Sequence, residues 1–360
     1  MDILYQFNEK YAPYAAVSMT SLFENNKSAE NICVYVLCEE VTEDSKERLS
    51  ALSQSYNRQI VFIDTAFLIC KMKELNMPTY RGSYAANMRL FVDYIFENVS
   101  ADDFAGGNLR CSDKSEGAGE TGAIIPKRLL YLDADTIVTA DLSGLFEYEI
   151  KTLGMVYDLL GNAHKYEIGL TKESGYYNSG VILYDVDKWI SEGFTGKIIE
   201  HVKNVRAQYP SPDQDLLNVV LKDEITPLPF EYNFQPHLRD FAYESFMKCF
   251  NPTPFYSAKQ VAAANKNPVI LHAYRYLGEF PWHKDNLHPF RKKFDVYLAI
   301  STFNDYVKLP SGGGIVVKTE KLLYKKLPRD IFLRVFKLMH GLFYRRADKL
   351  SKSGKISSKM

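Results

Sequence analysis

Short, almost uninterrupted apolar runs recur through the first half of the chain, separated by stretches whose apolar positions repeat with a helical period. Residues 3–7 (Ile-Leu-Tyr-Gln-Phe), 32–38 (Ile-Cys-Val-Tyr-Val-Leu-Cys), 60–63, 129–132 and 154–157 are four to seven residues long and rich in β-branched and aromatic side chains. That length and composition predict strands, and the lack of alternation predicts strands covered on both faces. Between them, 14–24, 42–56 and 84–96 predict helices. Thr42 supplies an N-cap to the second, and Leu49 and Leu52 share one of its faces. A strand at 180–184 and a helix at 198–208 follow. Strands alternating with helices predict an α/β fold built on a mostly parallel sheet flanked by helices.

Two segments fall outside this rhythm. Residues 101–123 are rich in Gly, Ser, Asp and Glu and lack an apolar period, which predicts a surface insertion in a domain spanning 1–310. Residues 311–314 (Ser-Gly-Gly-Gly) read as a linker to a tail, 311–360. Lys plus Arg equals Asp plus Glu at 44 each, so global charge says nothing about partners. Its distribution does: from 318 to 360 there are 13 basic and 3 acidic residues, a local excess of +10, so the remainder carries −10. Within the tail, a helix over 330–344 places Ile331, Phe332, Val335, Leu338, Met339, Leu342 and Phe343 on one face, with Arg334, Lys337, Gly341 and Arg345 opposite. Such a basic amphipathic helix predicts contact with an anionic membrane surface; the alternative is a helix docked on the domain. Nucleic acid is not expected, because no aromatics are interleaved with the basic residues beyond 344. Cys33, Cys38, Cys70, Cys111 and Cys249 are odd in number and lack metal-ligand spacing, which predicts reduced thiols. With no signal-peptide pattern and no apolar stretch approaching the ~18 residues of a spanning helix, the expected location is cytoplasmic, peripheral on the inner face of a membrane.

The chemistry concentrates at 128–135, Arg-Leu-Leu-Tyr-Leu-Asp-Ala-Asp. A strand ends abruptly in Asp133 and Asp135, whose side chains point the same way if the backbone stays extended. Two hard oxygen ligands at a strand's carboxyl end suit Mg²⁺ or Mn²⁺ held together with a phosphate-bearing substrate. The pattern alone is weak, since it recurs at Asp185/Asp187 and Asp213/Asp215, and a solvated strand-end pair is the competing reading.

Several segments in order and spacing then narrow the field: Asn8-Glu9-Lys10-Tyr11-Ala12, Arg89-Leu90, Tyr131–Asp135 with Asp141-Leu142, Tyr177-Asn178-Ser179-Gly180-Val181, Asp213-Gln214-Asp215-Leu216-Leu217-Asn218, and His272 followed by Pro281-Trp282. Together they resemble the retaining glycosyltransferases of family 8, especially the bacterial lipooligosaccharide galactosyltransferase type, from Met1 to about residue 293. The resemblance implies a GT-A fold, a Rossmann-like mixed and mostly parallel sheet. It also implies transfer of a hexose from UDP-glucose or UDP-galactose with retention at the anomeric carbon, assisted by Mn²⁺ (or Mg²⁺).

By the same resemblance Asp133, Asp135 and His272 are the metal ligands. Asn8, Tyr11, Ala12, Asp133, Ala134 and Asp135 bind the nucleotide, Tyr11 by stacking on uracil. Arg89, Asp133, Asn178, Ser179 and Asp213 bind the donor sugar, and Gln214, Asp213 and Asp215 are the catalytic candidates. A glutamine amide is a poor nucleophile, so Gln214 is expected to stabilise an oxocarbenium-like transition state, with Asp215 behind it or acting as a transient nucleophile. Two departures stand out. Asn8 sits where relatives often carry Asp, and Phe280 stands where the end motif often has a phosphate-binding Lys before Pro-Trp, with a His-to-Pro distance two residues longer. Arg275 and Lys284 are the candidate replacements.

The expected acceptor is a saccharide, lipid-linked, in cell-surface polysaccharide or lipopolysaccharide synthesis; a protein-linked glycan is the alternative. A nucleotidyltransferase would need a glycine-rich phosphate loop, and 8–12 contains no glycine. A non-catalytic binding protein would be expected to lack residues such as Asp133, Asp135, Asn178 and Asp213, all of which are present.

Overall fold

A computed structural model describes residues 1–80, 82–97, 125–205 and 209–339. The expected insertion 101–123, Cys111, the end of the 198–208 helix and everything beyond 339 lie outside the described residues. The frame is a seven-stranded sheet. Its strands are β1 (Asp2–Asn8), β2 (Cys33–Glu39), β3 (Gln59–Asp64), β4 (Arg128–Asp133), then, after the short β5 (Thr136–Val138), β6 (Leu153–Tyr157), β7 (Tyr177–Asp185) and β8 (Ile225–Pro227). They lie in the order β3-β2-β1-β4-β7-β6-β8. β7 alone runs antiparallel to its neighbours β4 and β6; every other pairing is parallel.

The near-continuous apolar runs have the expected cause. Along β1, Ile3, Tyr5 and Phe7 enter one core, with the helix Ala12–Asn25, while Leu4 enters the other, with Phe91, Trp189 and Leu216. Cys33 and Cys38 likewise fall in opposite cores, as their odd separation requires, and the described cysteines are all free. Thr42 accepts from Ser45 N and caps the helix Glu43–Ser55.

Tertiary packing overrides local periodicity in several places. The expected helix 84–96 is instead a 3₁₀ segment, Ala85–Leu90, followed by a short helix, Val92–Glu97. Asn87, Met88, Arg89 and Leu90 are all buried, so no solvated face remains to enforce a 3.6-residue period. The expected strand 180–184 extends over Tyr177–Asp185, because the polar side chains of Asn178 and Ser179 find partners inside the fold. The helix expected at 198–208 occupies Phe194–Asn204, set off by Gly193 at φ 62°. β5, β8 and β9 (Ile270–His272) have three residues each, too few to show a period.

The C-terminal segment returns to the domain. The helix Ile315–Lys326 docks through buried Val317 and Glu320, and Lys321 pairs with the fully buried Glu279 at 2.8 Å. Residues 329–339 are helical, with Phe332 and Leu333 buried and Phe336 packed on the core. Phe332 lies parallel to Phe241 at 6.0 Å. The apolar face expected from sequence is therefore split. Phe332 turns inward with Leu333 and Phe336, while Ile331 and Leu338 stay 49% and 66% exposed beside exposed Arg334 and Lys337. Among the described residues no helix is long and apolar enough to cross a membrane.

The docking has a measurable cost when broken. Leu333→Ala is expected to lower unfolding free energy by about 2–5 kcal/mol, read from urea melts. An unchanged midpoint would mean that this helix is undocked in solution.

Candidate active site

β4 ends at Asp133 on the carboxyl side of the sheet, the usual ligand side of an open α/β sheet. The chain then turns tightly. Thr136 Oγ1 donates to the Asp133 carbonyl (2.8 Å), and β5 pairs antiparallel with β9 so that Thr136 faces His272. The Ala273 amide donates to the Asp135 carbonyl at 2.8 Å. This two-strand pairing brings a residue more than a hundred positions away to the Asp133/Asp135 turn. His272 Nε2 lies 3.3 Å from Asp135 Oδ1 and 3.6 Å from Asp133 Oδ2. One ligand atom from each of the three residues falls within 4.8 Å of the others.

A one-way hydrogen-bond chain orients His272. Asp158 Oδ2 accepts from the Asn178 amide nitrogen (2.7 Å), Asn178 Oδ1 accepts from the Asn233 amide nitrogen (2.8 Å), and Asn233 Oδ1 lies 3.0 Å from His272 Nδ1. Each amide must present its oxygen to the next donor, so His272 carries its proton on Nδ1. Nε2 keeps the lone pair for the metal position, in the manner of outer-shell partners generally. Gly180 makes room: a Cβ there would meet His272 Cε1 at 2.1 Å. Burial alone would lower the His272 pKa, but Asp135 and Asp133 outweigh it and hold it raised. Two carboxylates and one imidazole nitrogen, crowded and partly desolvated, fit a divalent ion of the Mn²⁺ or Mg²⁺ type.

Arg89 stands beside this centre. Its guanidinium pairs with Asp133 (3.0 Å) and Asp213 (3.5 Å), donates to the Ser179 carbonyl (2.8 Å) and lies 4.2 Å over the Tyr131 ring. Tyr131 in turn donates to Asp133 at 2.7 Å. Burial pushes the Asp213 pKa up, against the opposing pull of Arg89, and Ser179 Oγ donates to its Oδ2 at 2.9 Å.

Gln214 is held at both ends. Its Oε1 accepts from the Ser179 amide (3.0 Å), and its Nε2 donates to the Tyr176 hydroxyl (2.9 Å) and, at 3.3 Å, to Asp158. Asp215 is fully buried and accepts from Tyr176 (2.6 Å), His164 (2.8 Å) and the Ser211 amide (2.8 Å). It is linked to Gln214 through Tyr176.

The expected nucleotide residues gather at the end of β1. Asn8 Oδ1 is buried and has no hydrogen-bond partner among the described residues, an acceptor held ready for a donor. Tyr11 is 36% exposed, edge-on to Tyr14 (5.4 Å) and Trp282 (6.1 Å), which stack on each other at 3.9 Å. Ala12 is fully buried with its N–H bonded to the Glu9 carbonyl, and Ala134 is buried between the two aspartates. Phe280 stacks on Trp282 at 4.5 Å. Arg275 and Lys284 are exposed and make no ion pair among the described residues.

Asp158, Asn233, Tyr176 and His164 were not singled out in the sequence. Asp158 carried a usable signal, since it follows an apolar strand just as Asp133 does. The other three had none, because their partners are distant in sequence.

The glycosyl transferase family 8 model matches residues 2–100 and 126–286, leaving 101–125 unmatched. The chain belongs to glycosyl transferase family 8. General stress protein A of Bacillus subtilis is 23% identical over 84% of this chain and 95% of its own length. A lipopolysaccharide 1,2-glucosyltransferase of Escherichia coli K12 is 24% identical over 85% of this chain and 79% of its own. In fold, the galactosyltransferase LgtC, solved with donor and acceptor sugar analogs, superposes with a TM-score of 0.61 at 21% identity, over 84% of this chain and 96% of that one. The sheet and its flanking helices are those of a GT-A glycosyltransferase.

Gly180→Ala tests the cradle around the family 8 metal position. It is expected to weaken Mn²⁺ binding by roughly 10–100-fold, the usual cost of disturbing an outer shell, together with a lower melting temperature, because the added Cβ displaces a buried ring. Wild-type Mn²⁺ affinity in titration calorimetry would remove His272 from the ligand set.

Proposed function

We propose that this glycosyltransferase moves glucose or galactose from the UDP-sugar to a saccharide acceptor, with retention and with a divalent ion. The observation that carries the reading is the convergence of Asp133, Asp135 and His272 beside the Arg89–Asp213 pair at the carboxyl end of the sheet.

Asp133, Asp135 and His272 are the residues that hold the ion. When bound, it neutralises the donor diphosphate and the charge that builds on the departing UDP. Asn8 Oδ1 accepts from the uracil imide and Tyr11 offers its ring to the base. Arg275 and Lys284 are the cations available to the diphosphate. Asp213, Asn178 and Ser179 take the donor-sugar hydroxyls, and Arg89 opposes the burial that pushes the Asp213 pKa up. Retention follows from same-face substitution. The bond from C1 to the phosphate oxygen breaks, the acceptor oxygen bonds to C1 from the side being vacated, and its proton passes to the departing phosphate. Gln214 stabilises the oxocarbenium-like transition state with the second lone pair of Oε1. The three donors on Asp215, together with its complete burial, favour a supporting role over that of a nucleophile.

A lipid-linked acceptor, handled at the inner face of a membrane in cell-surface polysaccharide synthesis, is supported by the outward Ile331 and Leu338 beside Arg334 and Lys337, and by the basic sequence 345–359 that follows.

Purified protein with Mn²⁺ is expected to release UDP from UDP-glucose or UDP-galactose. Asp133→Asn should cost about 2–4 kcal/mol of transition-state stabilisation, a loss of roughly 30–1,000-fold, and EDTA should abolish turnover. Proton NMR of the first-formed product should show an α-linkage. Full activity in EDTA overturns the metal, and a β-linkage overturns retention.

The full-length chain is expected to bind anionic vesicles at low salt and to release them as salt rises, because the attraction is screened beyond about 10 Å at 0.1 M. Sedimentation with neutral and anionic vesicles measures it; indifference to anionic lipid removes the support for a membrane-borne acceptor.

A further inference from the structure

The buried hydroxyl of Tyr176 is used by nothing in the mechanism above, yet three functional groups converge on it. Asp215 Oδ1 lies 2.6 Å away, Gln214 Nε2 2.9 Å and His164 Nε2 3.0 Å. The directions of these bonds follow from elementary donor–acceptor rules. An ionised carboxylate only accepts, so the single Tyr176 proton goes to Asp215. The hydroxyl oxygen is then left as an acceptor, and the group facing it must donate. Of the two ends of the Gln214 amide, only the NH₂ can do so. The opposite end therefore faces the Ser179 N–H, which needs an acceptor, at 3.0 Å. The Ser179 N–H at one end, and at the other the Tyr176 hydroxyl as the nearer partner with Asp158 Oδ2 at 3.3 Å, select a single orientation of the amide.

His164 secures the other side. Its Nε2 is 2.8 Å from Asp215 Oδ1. Burial alone would lower the His164 pKa, but Asp215 outweighs it and holds it raised. His164 and the Ser211 amide together supply donors to both oxygens of a carboxylate that has no access to solvent. The Tyr176 hydroxyl is the third donor on Asp215, at 2.6 Å, so its proton is turned away from Gln214.

We infer that Tyr176 is a positioning residue for the transfer step, fixing the Gln214 amide with its carbonyl oxygen on the Ser179 side, and that Asp215 and His164 act by fixing the Tyr176 hydroxyl proton. The inference rests on Gln214 serving the reacting carbon as proposed above. It assigns the buried His164–Asp215 pair to orientation of that glutamine. It also gives a physical reason for glutamine over glutamate at position 214: a carboxylate there would place a second acceptor against a hydroxyl oxygen whose proton is already committed.

The test uses the full chain with Mn²⁺ and, in separate arms, UDP-glucose and UDP-galactose, following UDP release. Tyr176→Phe is expected to lower kcat about 10–100-fold with donor KM within about 3-fold, because the donor-binding side chains are untouched. A purely packing role would leave kcat unchanged. His164→Leu is expected to lower kcat about 10-fold, and His164→Gln, which keeps a donor toward Asp215, to recover most of it. This pair also serves should Tyr176→Phe fold poorly. In the double variant Gln214→Ala/Tyr176→Phe the losses are expected not to multiply, since the hydroxyl acts through the amide. A readout independent of turnover is the Gln214 side-chain NH₂ signal in ¹⁵N-glutamine-labelled protein, assigned by its loss in Gln214→Ala. Its hydrogen-exchange protection should drop in Tyr176→Phe. Unchanged protection with unchanged kcat overturns the inference. If Gln214→Ala itself leaves kcat unchanged, the role proposed for Gln214 fails instead, which separates the two conclusions.

Discussion

One buried cation organises the site. Arg89 comes from a 3₁₀ segment, Asp133 from the end of a central strand, and Asp213 from the start of the helix Pro212–Val220. These elements are far apart in sequence, and where they pack together the guanidinium bridges their polar groups, while also donating to the Ser179 carbonyl of a fourth element. A buried charge is costly unless it is paired and its remaining donors are satisfied. Arg89 meets that condition with two carboxylates, two carbonyls and an aromatic face. In return it offsets the mutual repulsion of Asp133 and Asp213 and lets both sit close to the metal position. The irregular backbone at 85–90, where a regular helix was expected, is the segment that carries it.

Around that cation the polar groups behave as directional wires. Asn178, Asn233 and Gln214 each present an amide that can be read in only one sense, because the chains of bonds begin at fixed groups, the Asp158 carboxylate and the Ser179 and Gly180 N–H. Asp158 is the common terminus, accepting from both Asn178 and Gln214. The His272 imidazole and the Gln214 amide thus both connect back to one carboxylate. Fully satisfied networks of this kind rigidify a site, whereas one missing partner leaves a buried polar group unmatched.

The C-terminal segment joins the same architecture from outside. Lys321 satisfies the fully buried Glu279, in the loop that runs from His272 to Trp282, and Val317 packs against Gly278 in the turn beside it. Asp240 accepts from Tyr324 of the tail as well as from Tyr276 of that loop. The tail as far as residue 339 therefore contributes to the wall of the domain. Only part of its apolar surface, including Ile331 and Leu338, is left for another partner.

Much of this was legible in the chain. Strands covered on both faces write themselves as continuous apolar runs, so β1 to β4 and the parallel frame followed from composition and spacing. The Asp133/Asp135 pair stood out because a hydrophobic strand ended in two carboxylates, and the ordered motifs around it pointed to family 8. What tertiary structure decided was different in kind. The pairing of three-residue strands that brings His272 to Thr136, the clearance at Gly180, the role of Asp158 and the inward turn of Phe332 with Leu333 all depend on contacts between distant segments. Periodicity reports which face of an element is buried, but a hydrogen bond between side chains over a hundred residues apart leaves no periodic trace. The sequence by itself determined the sheet and named the candidate site residues; the fold decided how each of them is oriented, because orientation is set by partners that only packing brings within reach.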